Sequence, residues 1–107
     1  MIQEKALGLG HAVWCAKKLV GNEPFAVLLA DDLIRNPGNG CLKQMVAEYH
    51  ATGAGCIGVE EIPASMTDHY GIVSVDKDAS GRNYIHQIIE KPKPEFAPTN
   101  LGDVGRY

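Results

Sequence analysis

Apolar positions along this chain follow two rhythms, one helical and one extended. Between His11 and Val20, Ala12, Cys15, Ala16, Leu19 and Val20 recur at helical spacing, while Lys17 and Lys18 face outward near the C-terminal end, where the helix dipole favours cations. Gly21 and Asn22 supply a stop. Phe25 to Ala30 is an unbroken apolar run after Pro24, which predicts a strand buried on both faces, as in a parallel sheet. Asn36 to Gly40 is turn chemistry. Leu42, Met45, Val46 and Tyr49 then stand at i, i+3, i+4 and i+7, predicting an amphipathic helix over 41–52 that ends at Gly53. Cys56 to Val59 reads as a second buried strand.

Helix, strand, helix and strand in that order imply βαβ units and a parallel sheet. The texture then changes. Gly71–Val75 and Tyr84–Ile89 show partial alternation around the polar stretch 76–81, which predicts a hairpin. Lys91-Pro and Ala97-Pro are extended, because proline removes a donor and restricts the residue before it. Val104 to Tyr107 reads as the opening of another strand. With a loop at its start and an unfinished strand at its end, the chain reads as a piece of a larger α/β domain.

Composition narrows the function. The 107 residues carry a formal net charge of −3, with 45% hydrophobic and 21% charged residues, which is ordinary globular make-up. No run of Lys or Arg exceeds two residues, so a nucleic-acid groove is not expected. Three cysteines without CxxC spacing and histidines scattered at 11, 50, 69 and 86 argue against a disulfide scaffold and a structural metal. The longest apolar stretch is too short to span a bilayer and the N-terminus lacks a signal-peptide core, so a cytoplasmic protein with reduced thiols is expected.

Four places can carry chemistry, each with a plainer alternative. Gly8-Leu-Gly-His11 precedes the first helix. Its glycines admit a close ligand or make a tight turn, and the spacing is not the dinucleotide fingerprint GxGxxG. Asp31 and Asp32 follow a buried strand at the sheet edge where ligands sit. They can hold Mg²⁺ or cap a short helix beginning at Leu33. Glu90 and Lys91 would point to opposite faces of a continuing strand, one toward hydroxyls and the other toward a phosphate, or form a solvated strand end. Gly71, after Tyr70, allows close approach or marks a turn. His11, Cys15 and Asp31 have no nucleophile-and-base spacing, so no covalent mechanism is assigned.

In order, Gln3-x4-Gly8-Leu-Gly-His-Ala12, Pro24-Phe-Ala-Val-Leu-Leu-Ala-Asp31, Tyr70-Gly-Ile-Val73, Ile89-Glu-Lys-Pro92, Ala97-Pro-Thr-Asn-Leu101 and Val104-Gly-Arg-Tyr107 resemble the sugar nucleotidyltransferase superfamily, in particular its bacterial-type UTP–glucose-1-phosphate uridylyltransferases. The resemblance implies an α/β, Rossmann-like nucleotidyltransferase core with a mixed sheet and three layers, here incomplete at both ends. Within it, 1–62 would form the nucleotide and metal part and 63–107 the sugar-phosphate part. It implies that Gln3 and Gly8 read uracil, that Asp31 binds Mg²⁺, that Gly71, Glu90 and Asn100 meet the glucosyl group, and that Lys91 lies near the sugar phosphate. UTP and glucose 1-phosphate are the implied substrates, and the intact protein is expected to form homo-oligomers. The family's GxGTRxxP-type loop would precede Gln3 and a second metal-binding Asp would follow Tyr107, so the chain alone is expected to be inactive. Position 103 is expected to be apolar, and here it is Asp103. Thymidylyl- or adenylyl-transferring relatives, or an inactive binding fragment, are the alternatives.

Overall fold

The computed structural model describes residues 1–31, 34, 38 and 40–107. The readings at Asp32, at the helix from Leu33 and at most of the 36–40 turn therefore lie outside the described residues. The predicted second helix is α3, Cys41–Thr52, with the predicted bounds. Gly53 ends it in the left-handed region at φ 69°, donating its N–H to the Tyr49 carbonyl at 2.7 Å. Its apolar stripe of Leu42, Met45, Val46 and Tyr49 forms one wall of a cavity of about 1020 Å³, which Val13 and Phe25 also line.

The first predicted helix is divided. α1 spans Leu9–Trp14 and α2 spans Lys17–Val20, with Cys15 and Ala16 in a turn between them. The Ala16 N–H bonds Val13 O and the Leu19 N–H bonds Ala16 O, three residues back rather than four. Neither piece has a buried residue, and a short helix without a packed face has little to hold it straight.

Four strands form one antiparallel sheet in the order β1-β4-β2-β3: β1 Val59–Glu61, β2 Gly71–Lys77, β3 Asn83–Glu90 and β4 Leu101–Asp103. Beyond β4 the chain turns at Gly105 and pairs with the Val27–Leu29 segment, Leu28 opposite Arg106. The Val27–Leu29 segment and β1 both run antiparallel to 101–107, so they share a direction as the βαβ pattern requires. They do not form a parallel ladder with each other, because the 101–107 strand lies against both. Helices and strands are mixed, as the α/β reading requires, but every pairing among the described residues is antiparallel.

Two strand readings change. Phe25–Ala30 is not buried on both faces: Phe25 is 57% and Leu28 53% exposed, with one edge bonded to 105–107. The second strand begins at Val59 rather than Cys56, and only Gly58 of that stretch is buried. The core lies around β2 and β4, where Ile62, Ile72, Val73 and Val104 are buried. Beside it Thr67, in the 3₁₀ turn Ala64–His69, is buried and donates its hydroxyl to Pro92 O at 3.1 Å. The three cysteines are free and half-buried.

The predicted hairpin is β2 and β3. Its register shifts between Ser74 and Val75, leaving His86 as the extra residue on β3. That bulge explains the imperfect alternation, since Ile85 and Ile88, three apart, oppose Val75 and Val73 on one face. Asp78 organises the turn: its Oδ1 accepts the Ser80 hydroxyl at 2.6 Å, the Ser80 N–H at 2.9 Å and the Arg82 N–H at 3.0 Å. These bonds, the Ser80 hydroxyl first and the Arg82 amide next, hold its carboxyl below the usual aspartate range. The stabilisation is full above that range and is lost as pH falls through the lower folded value. Amide exchange at Ser80 and Arg82 should therefore accelerate, relative to the β2 interior, as the solution is acidified below the usual aspartate range. In Asp78→Ala the acceleration should already be present at neutral pH.

Candidate substrate-binding site

The N-terminal loop is closed by Gln3. Its Nε2 donates to Gly8 O at 3.2 Å and lies 2.9 Å from His11 Nδ1. Gly8 sits at φ 98° with open space where a Cβ would stand, so the glycine is required by conformation rather than by crowding. Gly8 O also accepts the Ala12 N–H at 3.1 Å, which starts α1. With six residues α1 is too short to serve as an anion site by itself. Gln3, Gly8 and His11 thus form one local unit.

Asp31 is exposed and comes two residues after Leu29, whose N–H bonds Gly105 O at 2.9 Å. The segment it closes runs toward the Asp103 end of β4. Gly71 opens β2 at the same end, since Ile72 opposes Gly102 and a Cβ built on Gly71 would stand 3.7 Å from Asp103 Cβ. Gly71 is also paired with Glu90, and that Cβ position lies 3.3 Å from Glu90 Oε2. The absent side chain is therefore what lets the Glu90 carboxylate lie over the β2 backbone. The 27–29 segment that leads to Asp31 and the Gly71–Glu90 pair thus approach one short stretch of chain, 103–105, from two sides.

Lys91 does not continue β3, so the condition for acid and amine on opposite faces is not met, and the extended backbone expected at Lys91-Pro is not found at Lys91. It adopts φ 46°, the only non-glycine residue with positive φ among the described residues, and its N–H bonds Tyr70 O at 2.9 Å. Strand alternation therefore stops at Glu90, and the left-handed turn sets the direction of the Lys91 side chain. Asn100 donates its Nδ2 to Ile62 O at 3.0 Å and accepts the Ile62 N–H on its carbonyl at 2.9 Å, so its visible task is to anchor the end of β1.

None of Asp31, Gly71, Glu90 or Lys91 lines the 1020 Å³ cavity, whose walls are α1, α3 and the Pro24–Val27 stretch. Among the described residues no group of three or more His, Cys, Asp or Glu is placed to hold a metal ion. Asp31 nevertheless fits the chemistry of Mg²⁺, which takes one or two carboxylates and completes its octahedron with water and phosphate oxygens. Among the described residues no helix is long and apolar enough to cross a membrane. Sequence reasoning did not give Asp103 a role. Its half-buried place on β4, where a carboxylate demands hydrogen-bond partners, is seen only in the structure.

The chain belongs to the nucleotidyl transferase family, which it matches over residues 1–107. It is similar to UTP–glucose-1-phosphate uridylyltransferase of Staphylococcus epidermidis, 44% identical over 105 residues that cover 98% of this chain and 36% of the relative. A UTP-bound UGPase from Acinetobacter baumannii superposes with a TM-score of 0.85 at 44% identity, covering 96% of this chain and 37% of that one. A UDP-glucose pyrophosphorylase complexed with UDP-glucose gives 0.86 at 39% identity, covering 97% of this chain and 40% of that one. The chain thus spans little more than a third of the length of the relatives it matches.

Proposed function

We propose that the protein carrying this chain transfers UMP from UTP to glucose 1-phosphate, giving UDP-glucose and pyrophosphate. The observation that supports the reading is that the 27–29 segment leading to Asp31 bonds Gly105, while the Gly71–Glu90 pair lies against Asp103 two residues earlier, in a chain whose relatives are uridylyltransferases. A phosphate oxygen of glucose 1-phosphate attacks the α-phosphorus of UTP in line. The new P–O bond forms as the bond to the bridging oxygen breaks, and pyrophosphate leaves with that electron pair. No covalent enzyme intermediate is needed, so the protein's work is positioning and charge neutralisation.

Glu90 accepts hydrogen bonds from hydroxyls of the glucosyl group across Gly71, and Lys91 meets the sugar phosphate. Asn100 holds the pocket edge through Ile62. Gln3 turns its carbonyl oxygen to the uracil N3–H, on a loop that Gly8 shapes. Asp31 would hold Mg²⁺, which when bound neutralises phosphate charge. On this reading 1–62 is the nucleotide and metal part and 63–107 the sugar-phosphate part. The whole protein is cytoplasmic and a homo-oligomer that binds neither nucleic acid nor membranes.

The test is pyrophosphate release by the full-length protein with UTP and glucose 1-phosphate. Release with dTTP or ATP but not with UTP would assign it to a thymidylyl- or adenylyl-transferring relative, and release with none would leave a binding role. Gln3→Ala should raise KM for UTP about tenfold, the worth of one hydrogen bond to a ligand, and weaken discrimination against CTP. Gly71→Val should displace the Glu90 carboxylate from its 3.3 Å approach and raise KM for glucose 1-phosphate more than KM for UTP. Steady-state kinetics with each substrate varied in turn separates the two effects.

A further inference from the structure

Asp103 stands where the two halves of the site meet. It is half-buried, and both of its oxygens are engaged: Oδ1 accepts the Gly105 N–H at 2.8 Å, and Oδ2 accepts the Tyr107 hydroxyl. Gly105, at φ 69°, makes the bend that carries the chain from β4 to its pairing with 27–29. Beyond the bend, Gly105 O accepts the Leu29 N–H at 2.9 Å, and Tyr107 exchanges backbone bonds with Val27 at 2.9 and 3.0 Å. On its other side Asp103 faces Gly71, its Cβ and Oδ2 lying 3.7 and 3.9 Å from the Gly71 Cβ position, which Glu90 Oε2 approaches at 3.3 Å.

We propose that Asp103 is a positioning residue. By clasping the Gly105 bend and the Tyr107 ring, it fixes the segment that ends in Asp31 against the strand end that presents Gly71 and Glu90. The assignment rests on the uridylyltransferase reading for its kinetic assay, while its structural part does not. A half-buried carboxylate is costly unless hydrogen-bonded, so the clasp is made whenever the strand is native. Small displacements between groups that must align in line have large effects on rate. An apolar side chain at position 103 would keep the β4 pairing with β1 and release the bend.

The experiment compares Asp103→Ile, Asp103→Asn and Tyr107→Phe in the full-length protein, by steady-state kinetics and amide exchange. Asp103→Ile should lower kcat at least tenfold, with smaller changes in KM for either substrate, and should accelerate exchange of the Leu29 amide at least tenfold. Exchange at Val73, in the β2 core, should not change. Tyr107→Phe, which removes one hydroxyl and keeps the ring, should move the same two quantities in the same direction by a smaller factor. Asp103→Asn, which keeps an acceptor for Gly105, should recover most of both.

Wild-type kcat and Leu29 protection in Asp103→Ile would overturn the proposal, as would a kcat loss with unchanged Leu29 exchange. If Asp103→Ile fails to fold, Tyr107→Phe decides by the same two criteria. If the unsubstituted protein releases no pyrophosphate, the functional reading fails, and Leu29 exchange alone decides for or against the clasp.

Discussion

In the full-length protein, Asp31→Asn should reduce kcat for uridylyl transfer by about 100-fold or more while leaving thermal stability unchanged. The second half of that expectation follows from placement: Asp31 is exposed, and replacements on exposed surface away from caps and networks usually change stability by less than about 0.5 kcal/mol. The first half follows from charge. Asparagine keeps the size of the side chain and one oxygen but removes the negative charge that a hard divalent cation requires. Charge stabilisation of a phosphoryl transition state by such an ion is worth several kcal/mol, and a loss of about 2.7 kcal/mol is a factor of about 100 in rate. Raising Mg²⁺ should restore part of the loss, because phosphate oxygens still offer ligands. If kcat at saturating Mg²⁺ stays within about threefold of the unsubstituted protein, Asp31 is not the ligand, and the sheet-edge argument that selected it fails.

The elements legible in the sequence were those whose signals are local. α3 is bounded by Gly40 and Gly53 and carries one continuous stripe, so both its ends and its apolar side follow from a dozen neighbouring residues. The hairpin follows from the Asp78–Gly81 turn and its flanking apolar residues. The pairing of Leu28 with Arg106 has no such signal. It joins residues far apart in the chain, and nothing in Phe25–Ala30 reveals that its neighbour is an antiparallel strand rather than a parallel one. The site divides the same way. Glycine before a strand and acid at a strand end single out Gly71, Glu90 and Asp31 as residues, but that Gly71 faces Glu90 depends on a register that includes the His86 bulge. The turn at Lys91 is invisible to a reading by alternation, since lysine carries no preference for positive φ. Asp103 acquires a meaning only once β4 is known to lie between β1 and β2.

Ile72→Ala should cost about 2–5 kcal/mol of stability, the range for emptying a fully buried aliphatic site. Ile72 is 0% exposed, lies opposite Ile89 on β3 and opposite Gly102 on β4, and is one of four buried apolar residues among those described. Gly102 cannot close the gap with a side chain of its own. A Cβ there would already stand 3.1 Å from Ile62 Cγ2 and 3.3 Å from the Tyr70 ring, so the neighbours are packed to contact distance around backbone. The cavity left by the truncation would therefore persist. A domain is typically stabilised by only about 5–15 kcal/mol, so the loss is a large share of the total. Denaturant unfolding of the full-length protein measures it, with Ile72→Val, expected to cost about 0.5–1.5 kcal/mol, as the graded control. Because Ile72 follows Gly71 directly, the same variant should loosen the Gly71–Glu90 pair and raise KM for glucose 1-phosphate under conditions where the protein is still folded. Equal stability of the alanine and valine variants would mean that the β2–β4 junction is not the core, and the rigid support for Gly71 and Asp103 would have to lie elsewhere.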